Sequence, residues 1–370
     1  MSTDGRARIL VMTVVHDPRD ARIFQREIRA LTTAGDHVTF AAPFSDYGVP
    51  PPSGIDTVDL PRAVGRRRTA ALREARSALR RLAPEHDVVL LHDPELLVAA
   101  AGLTHPLVIW DVHEDTAAAL SLKAWLPERL RPVVGSGVAA LEHRAERTHR
   151  LLLAESDYAE RFDLAHPVVP NTSPVPPHVP APNARRAVYL GRVSVERGGL
   201  DLIEVGRRMG DSAELVVIGP ADAATAKPLA AAHAAGWIRY EGFVDNDRAL
   251  ELIQGSGAGL SLLHDQPNYR HSMPTKVVEY MARGIPVITT PLPRARALVE
   301  EAGSGMIVAF NDPAAAGDAV LALLDDDDRR RQMGAAGHEY VRANANWDVD
   351  GPAFVALLHR WIGEANRVAR

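Results

Sequence analysis

Residues 172–186 read TSPVPPHVPAPNARR, and this run constrains the fold more than any other stretch of the chain. Pro174, Pro176, Pro177, Pro180 and Pro182 each lack a backbone N–H and fix φ, so neither a helix nor a central strand can pass through them. Residues 173–186 are therefore expected to form an extended linker. On both sides of it, short apolar runs alternate with longer helical patterns. Before the break, RILVMTVV (8–15), HVTFAA (37–42), DVVLLH (87–92), LVIWDVH (107–113) and LLLAE (151–155) read as strands. A helix is expected from about Asp20, with Phe24, Ile28 and Leu31 on one face. After the break, AVYLG, ELVVIG, IRYEGFV, GLSLL, PVITT and MIVA read as strands, with helices opening near Gly198, Asp222, Asp247, Pro274, Pro293 and Asp312.

Strands that are apolar throughout, separated by helices, indicate parallel sheets buried on both faces. The 370 residues are enough for two such cores. The expectation is an α/β protein of two Rossmann-like, doubly wound parallel-sheet domains facing a cleft, residues 1–172 and 187–351. A C-terminal helix over 352–370 would return to the first domain through Phe354, Leu358 and Trp361. In open parallel sheets, ligands sit beyond the carboxyl ends of the strands, so functional residues belong where strands hand over to loops.

The chain has no cysteine, which excludes disulfides, thiolate metal sites and cysteine nucleophiles. A formal net charge of -5 argues against a nucleic-acid partner. The opening MSTDGRARILVMTVV lacks the apolar core and cleavage site of a secretory signal, and no apolar run reaches the length of about 18 residues needed to span a membrane. A cytoplasmic protein is expected. Residues 62–81 carry eight arginines and one acid, Glu74. They are read as a solvated helix face beside Leu72 and Leu79, with peripheral contact to anionic lipid as the alternative.

Two segments carry a clear chemical signal. VYLGRVSVERGGL (188–200) closes a strand and opens a helix. Gly191 permits a tight turn, and Arg192 and Arg197 follow beside a helix N-terminus, a combination suited to a diphosphate. The plainer alternative is a capped helix with solvated arginines. In NYRHSMPTKVVEYMARGIPV (268–287), Pro274 suits a first helical turn, and Lys276, Glu279 and Arg283 recur on one face. The start of that helix offers N–H groups to phosphate and Glu279 offers acceptors to ribose hydroxyls, against the alternative of a surface Lys276–Glu279 pair.

The stretches VVHDPRDARIFQREIRAL, LLHDPELL, WDVHED, YLGRVSVERGG, MPTKVVEYMARGIPVI and MGAAGHEYVRANANW follow the order of the landmarks of family 4 GT-B retaining glycosyltransferases. The chain resembles that family nearly end to end. The resemblance implies transfer of a sugar from a nucleoside diphosphate sugar, UDP or GDP, to an acceptor hydroxyl with retention of configuration. The nucleotide sugar would be the co-substrate, with no cofactor and no metal. His113, Arg192 and Arg197 would form the catalytic set, the two arginines on the donor diphosphate and His113 near the reacting sugar. Glu279 matches the second glutamate of an E-x7-E motif that binds ribose. The first glutamate would fall at His271, which departs from the pattern. A subgroup with N-x-x-x-S-x-P-x-K ahead of EYM is matched instead by Asn268, Ser272, Pro274 and Lys276. Gly242, Phe243 and Val244 match the loop that borders the nucleobase. Glu114 stands beside His113, and His16, Asp17, Arg19 and Arg22 fill the loop after the first strand, where acceptor or phosphate contacts are implied. An N-cap by Asp20 among charged neighbours is the alternative for that loop. His92 and Asp93 are further candidates for the cleft or for a cap.

Asp245-Asn246-Asp247 imitates the D-x-D of metal-using transferases but precedes a helix, so an N-cap is expected, and residues 325–328 read as a solvated acidic run. Gly255-Ser-Gly-Ala-Gly259 precedes a strand and cannot be a dinucleotide loop. Two other readings use the same donor site: a sugar-nucleotide epimerase or hydrolase, and a non-catalytic sugar-nucleotide-binding subunit.

Overall fold

The computed structural model describes residues 6–103, 107–113 and 131–368. The chain forms two compact units, one of Met1–Asn171 with Val349–Arg370 and one of Thr172–Asp348.

The first unit holds β1 (Arg8–Met12), β2 (His37–Ala42), β3 (Asp56–Asp59), β4 (Val88–Leu91), β5 (Val108–Val112) and β6 (Arg150–Leu153). They make a six-stranded parallel sheet in the order β3-β2-β1-β4-β5-β6. β1 is central, with Met12 level with Ala41 of β2 and Leu91 of β4. The strand order reverses between β1 and β4, so the loops after these two strands leave toward opposite faces. β3 is an addition to the expected strands. Its DTVD is an edge strand of partly exposed residues and lacks the apolar run that marks a buried one.

Leu10, Met12, Val89, Leu91, Trp110 and Val112 pack against Ala71, Ala75 and Leu79 of the helix Arg68–Leu82. The apolar face of the arginine-rich helix is therefore occupied by the core. Arg67 pairs with Asp46 at 3.0 Å, Arg68 with Glu95 at 3.6 Å, and Arg76 donates to the carbonyl of Ala99 at 3.3 Å. Among the described residues, no helix is long and apolar enough to cross a membrane.

The helix expected from Asp20 begins as a π-helix, Ala21–Ile28, and continues as the α-helix Arg29–Thr33. Asp20 caps it, accepting from the N–H groups of Arg22 and Ile23. The wider turn changes which residues face inward. Ile28 and Leu31 are buried as expected, but Phe24 is only half-buried, and Arg22, Arg26 and Glu27 take inward places. The C-terminal helix runs Trp347–Val368, so Pro352 falls inside it. Phe354, Leu358 and Trp361 are buried, Arg150 lies 5.5 Å over the Trp361 ring, and His359 Nε2 is 2.8 Å from Asp36.

The second unit holds β7 (Ala184–Leu190), β8 (Glu214–Ile218), β9 (Arg239–Gly242), β10 (Ser256–Ser261), β11 (Val287–Thr289) and β12 (Gly305–Ile307). This sheet is also six-stranded and parallel, in the order β12-β11-β10-β7-β8-β9. β7 starts at Ala184, inside the stretch expected to be linker. The proline-rich run is fastened to this unit along its length. The carbonyls of Pro174, Pro176 and Pro182 accept from Arg283, His338 and Arg330, and Ser173 bridges to Asn346. Proline lacks a donor but keeps its carbonyl, and buried side-chain donors use it.

Candidate functional site

In the second unit β7 and β10 are parallel neighbours, and the strand order reverses between them. This is the place where an open parallel sheet holds a ligand. β7 is followed by Gly191, the turn Val195–Arg197 and the helix Gly199–Met209. After β10 the chain makes the short helix Pro267–Arg270 and then the helix Thr275–Met281.

Close backbone approach shapes the strand ends. Gly191 and Gly219 sit at φ 113° and 137°, and a Cβ on Gly219 would lie 2.1 Å from the Gly191 carbonyl oxygen. Gly191 N–H donates to Ile218 at 2.9 Å and Gly219 N–H to Gly242 at 2.7 Å, lacing the ends of β7, β8 and β9 together.

Lys276 is the central side chain. It is 5% exposed, and its ammonium finds no hydrogen-bond partner among the described residues. Nζ lies 3.6 Å from the centroid of the Tyr189 ring, and a Cβ on Gly191 would stand 3.7 Å from it. Burial and then the neighbouring charge of Arg197 push its pKa well below the usual lysine value, while Glu279 opposes them. Arg197 leans over Tyr269 at 5.8 Å from the ring centroid. A buried ammonium without a hydrogen bond, beside a guanidinium, suits an anionic ligand. Tyr189 donates its hydroxyl proton to the Arg192 carbonyl at 2.8 Å, while the Arg192 residue itself is exposed.

Glu279 is buried one turn beyond Lys276. The next residue, Tyr280, accepts from Leu190 N–H at 2.8 Å and donates to the Leu260 carbonyl at 3.2 Å. Its ring covers Gly259, where a Cβ would stand 2.4 Å away. Gly259 of β10 thus makes room for Tyr280. Arg283 turns away from Lys276 and donates to Ser173 and Pro174. Ser272 donates to the Asn268 carbonyl at 3.3 Å, and His271 is exposed. Gly242 ends β9 at φ 65°, Phe243 is exposed and Val244 packs on the core. The D-x-D imitation stands as expected at a helix start, Asn246–Leu252, although the Asp245 carboxylate makes no capping bond. In the run 325–328, Asp326 caps the next helix through Arg329 N–H. His264, which the sequence reading passed over, joins the two loops at the switch point: its N–H donates to Glu196 at 2.9 Å and Nε2 lies 2.7 Å from Asp201.

The first unit carries a second cluster at its strand ends. Asp111 is held bidentately by Arg22 at 2.7 and 2.6 Å. His92 Nδ1 and His113 Nδ1 lie 3.2 and 3.0 Å from the same carboxylate. Glu27 completes a ring, 3.2 Å from Arg22 and 3.5 Å from His92. Burial alone would raise the Asp111 pKa, but Arg22 and the two histidines hold it well below the carboxylate range. Burial, and then the Asp111 charge, push Glu27 well above that range, and burial lowers His92. Arg22 also donates to Val169 and Asn171, so its guanidinium is engaged inside the unit. Arg22 thus orients the Asp111 carboxylate. Asp17 and Arg19 pair with each other at 2.9 Å, half-exposed. His16 Nε2 lies 3.1 Å from His113 Nε2 and 3.2 Å from Asp93. Asp93 stands at a helix start but turns its carboxylate to Thr13 and the N–H groups of Val14 and Val15. Glu114 lies outside the described residues. Donor atoms of His92, Asp111 and His113 stand within 4.8 Å of one another, as in a metal site. Arg22 already supplies a positive charge to the Asp111 carboxylate of this set.

Residues 176–340 match the family model for glycosyl transferases group 1. Among solved structures the chain is similar to sucrose-phosphate synthase from Thermosynechococcus elongatus, with TM-score 0.75 and 15% identity over 97% of this chain and 100% of that one. It is also similar to Anabaena HepE in complex with UDP-glucose, with TM-score 0.68 and 12% identity over 95% and 99% of the two chains. WaaG, a glycosyltransferase involved in lipopolysaccharide biosynthesis, gives TM-score 0.65 and 13% identity over 94% and 98%. No curated protein matches the sequence. At these identities the structural likeness is one of fold. The two parallel-sheet units have the GT-B fold, and the match in the second supports glycosyl transfer.

Proposed function

We propose that this chain is a retaining glycosyltransferase of family 4 that moves a sugar from a nucleoside diphosphate sugar to an acceptor hydroxyl in the cytoplasm, without a metal ion. One observation carries the reading: Lys276 is buried without a hydrogen bond among the described residues, beside Arg197, at the switch point of a parallel sheet. The diphosphate of the donor supplies acceptors to these cations, and the same cations stabilise it as it leaves. Arg192 joins them from the exposed side, Glu279 takes the ribose hydroxyls, and Gly242, Phe243 and Val244 border the base. Asn268, His271 and Ser272 complete the donor side. UDP is the first candidate, because the fold neighbour HepE is described with UDP-glucose. His113 lies near the reacting sugar, and His16, Asp17 and Arg19 meet the acceptor. Retention follows from attack on the face the diphosphate leaves, with no protein nucleophile.

Thermal unfolding with UDP and GDP in the presence of a chelator tests this. Saturation at about 100 times Kd stabilises by about 2.7 kcal/mol, and Lys276→Met should abolish the shift. Equal response to both nucleotides, or to neither, would count against the site. Analysis of the product anomer tests retention.

A further inference from the structure

The hydrogen-bond partners of two histidines at the strand ends of the first unit determine where their protons sit. His113 Nδ1 lies 3.0 Å from Asp111 Oδ2 and 3.3 Å from the Asp111 carbonyl oxygen. Both are acceptors, so Nδ1 carries a proton. His113 Nε2 lies 3.1 Å from His16 Nε2, and a single proton occupies that contact. His16 Nε2 also faces Asp93 Oδ1 at 3.2 Å. A ring nitrogen that faces a carboxylate is a donor, so the shared proton belongs to His16. His113 Nε2 is then an acceptor.

We propose that Asp111 is a positioning residue that fixes His113 as the Nδ1–H tautomer, so that Nε2 accepts a hydrogen bond from a substrate hydroxyl in place of the one from His16. The proposal rests on the reading of His113 as a residue of the transfer site. His16 can yield without losing its hydrogen bond, because Asp93 is a second acceptor for the same N–H. Asp111 is held against rotation by the two bonds from Arg22, which is itself tied to Val169 and Asn171. Behind them His92 and Glu27 close the buried ring, and the carboxylate of Asp20 acts on both His16 and His113. Among the described residues, the carboxylates of Asp20, Asp93 and Asp111 border the pair. They disfavour a phosphate or carboxylate at His113 and favour a neutral hydroxyl, so this place selects a polyol over an anion.

The tautomer is read directly by 15N NMR of the full-length protein labelled at histidine, with His113→Gln to assign the signal. The expected spectrum at pH 7.5 has Nδ1 protonated and Nε2 bare. The opposite tautomer, or an imidazolium, overturns the proposal. A double variant, Arg22→Met with Asp111→Asn, removes the buried pair without leaving one charge alone. Its kcat should fall by about 10²-fold, with KM for the nucleotide sugar and the nucleotide-induced thermal shift unchanged. An unchanged kcat overturns the proposal, and if the variant does not fold, the wild-type spectrum decides. Because the tautomer is read without turnover, a wild-type protein with the expected spectrum but no transfer refutes the transferase reading and leaves the assignment of His113 standing.

Discussion

Among the described residues the Lys276 ammonium has no hydrogen-bond acceptor, and its amine is held below its ordinary pKa first by burial and then by Arg197. Bound diphosphate favours the ammonium, so ligand binding takes up a proton. Affinity for a nucleoside diphosphate should therefore rise as pH falls from the ordinary lysine value toward the lowered one. Calorimetry across that range checks this, and in Lys276→Met the dependence should flatten while kcat/KM drops by about 10²–10³-fold. Glu27 and Asp111 shift in opposite directions, so their effects on stability oppose each other. Asp111, with its pKa depressed, contributes stability above the ordinary Asp range and loses it as pH falls through its folded value. Glu27, with its pKa raised, contributes stability below the ordinary Glu range and loses it as pH rises through its folded value. Glu27→Gln should remove that second loss. Denaturant midpoints at pH 5 and pH 8 should show wild type falling relative to the variant, and parallel behaviour would refute the shift. Gln cannot ionise, which makes the comparison clean.

Local geometry decides which of these groups meet. In the π-helix Ala21–Ile28 the hydrogen bond reaches five residues back, as from Arg29 N–H to the Phe24 carbonyl. That winding brings Arg22 and Glu27, five apart, onto one inward face, where an α-helix would separate them. A period of 3.6 residues read from the sequence picks Phe24 and misses Glu27 for this reason. In the second unit β10 and the helix Thr275–Met281 meet through Gly259 and Tyr280. Gly259→Ala should cost about 1–3 kcal/mol through overpacking, seen as a lower denaturant midpoint. Tyr280→Phe leaves the Leu190 N–H buried without an acceptor and should cost about 1–3 kcal/mol. Either change should also weaken nucleotide binding, because Tyr280 holds the end of β7, which carries the Tyr189 ring beneath Lys276.

Each of the two units has its own core, yet the chain leaves the first at Asn171 and re-enters it at Val349. Trp361 is buried there under the Arg150 guanidinium. Trp361→Ala should destabilise the first unit by about 3–5 kcal/mol. Hydrogen exchange should show lost protection in β1–β6 and little change in β7–β12; a loss spread over both would mean that the units do not unfold separately.

Continuous apolar runs between turn signals have few uses besides buried parallel strands, so the two sheets, their central strands, the place of Arg197 in the turn after β7 and that of Lys276 at a helix start were legible in the amino-acid order. Edge strand β3, built from DTVD, carried no such run. Five prolines determined that residues 172–186 would be extended, because φ and the missing donor are properties of each residue. Which side chains would fasten their carbonyls was decided only when Arg283, Arg330 and His338 folded against them. The buried ring of Arg22, Glu27, His92 and Asp111 was likewise a product of tertiary structure. Its members are separated by as many as 89 positions, and their ionisation depends on burial and on one another, neither of which is a property of any residue taken alone.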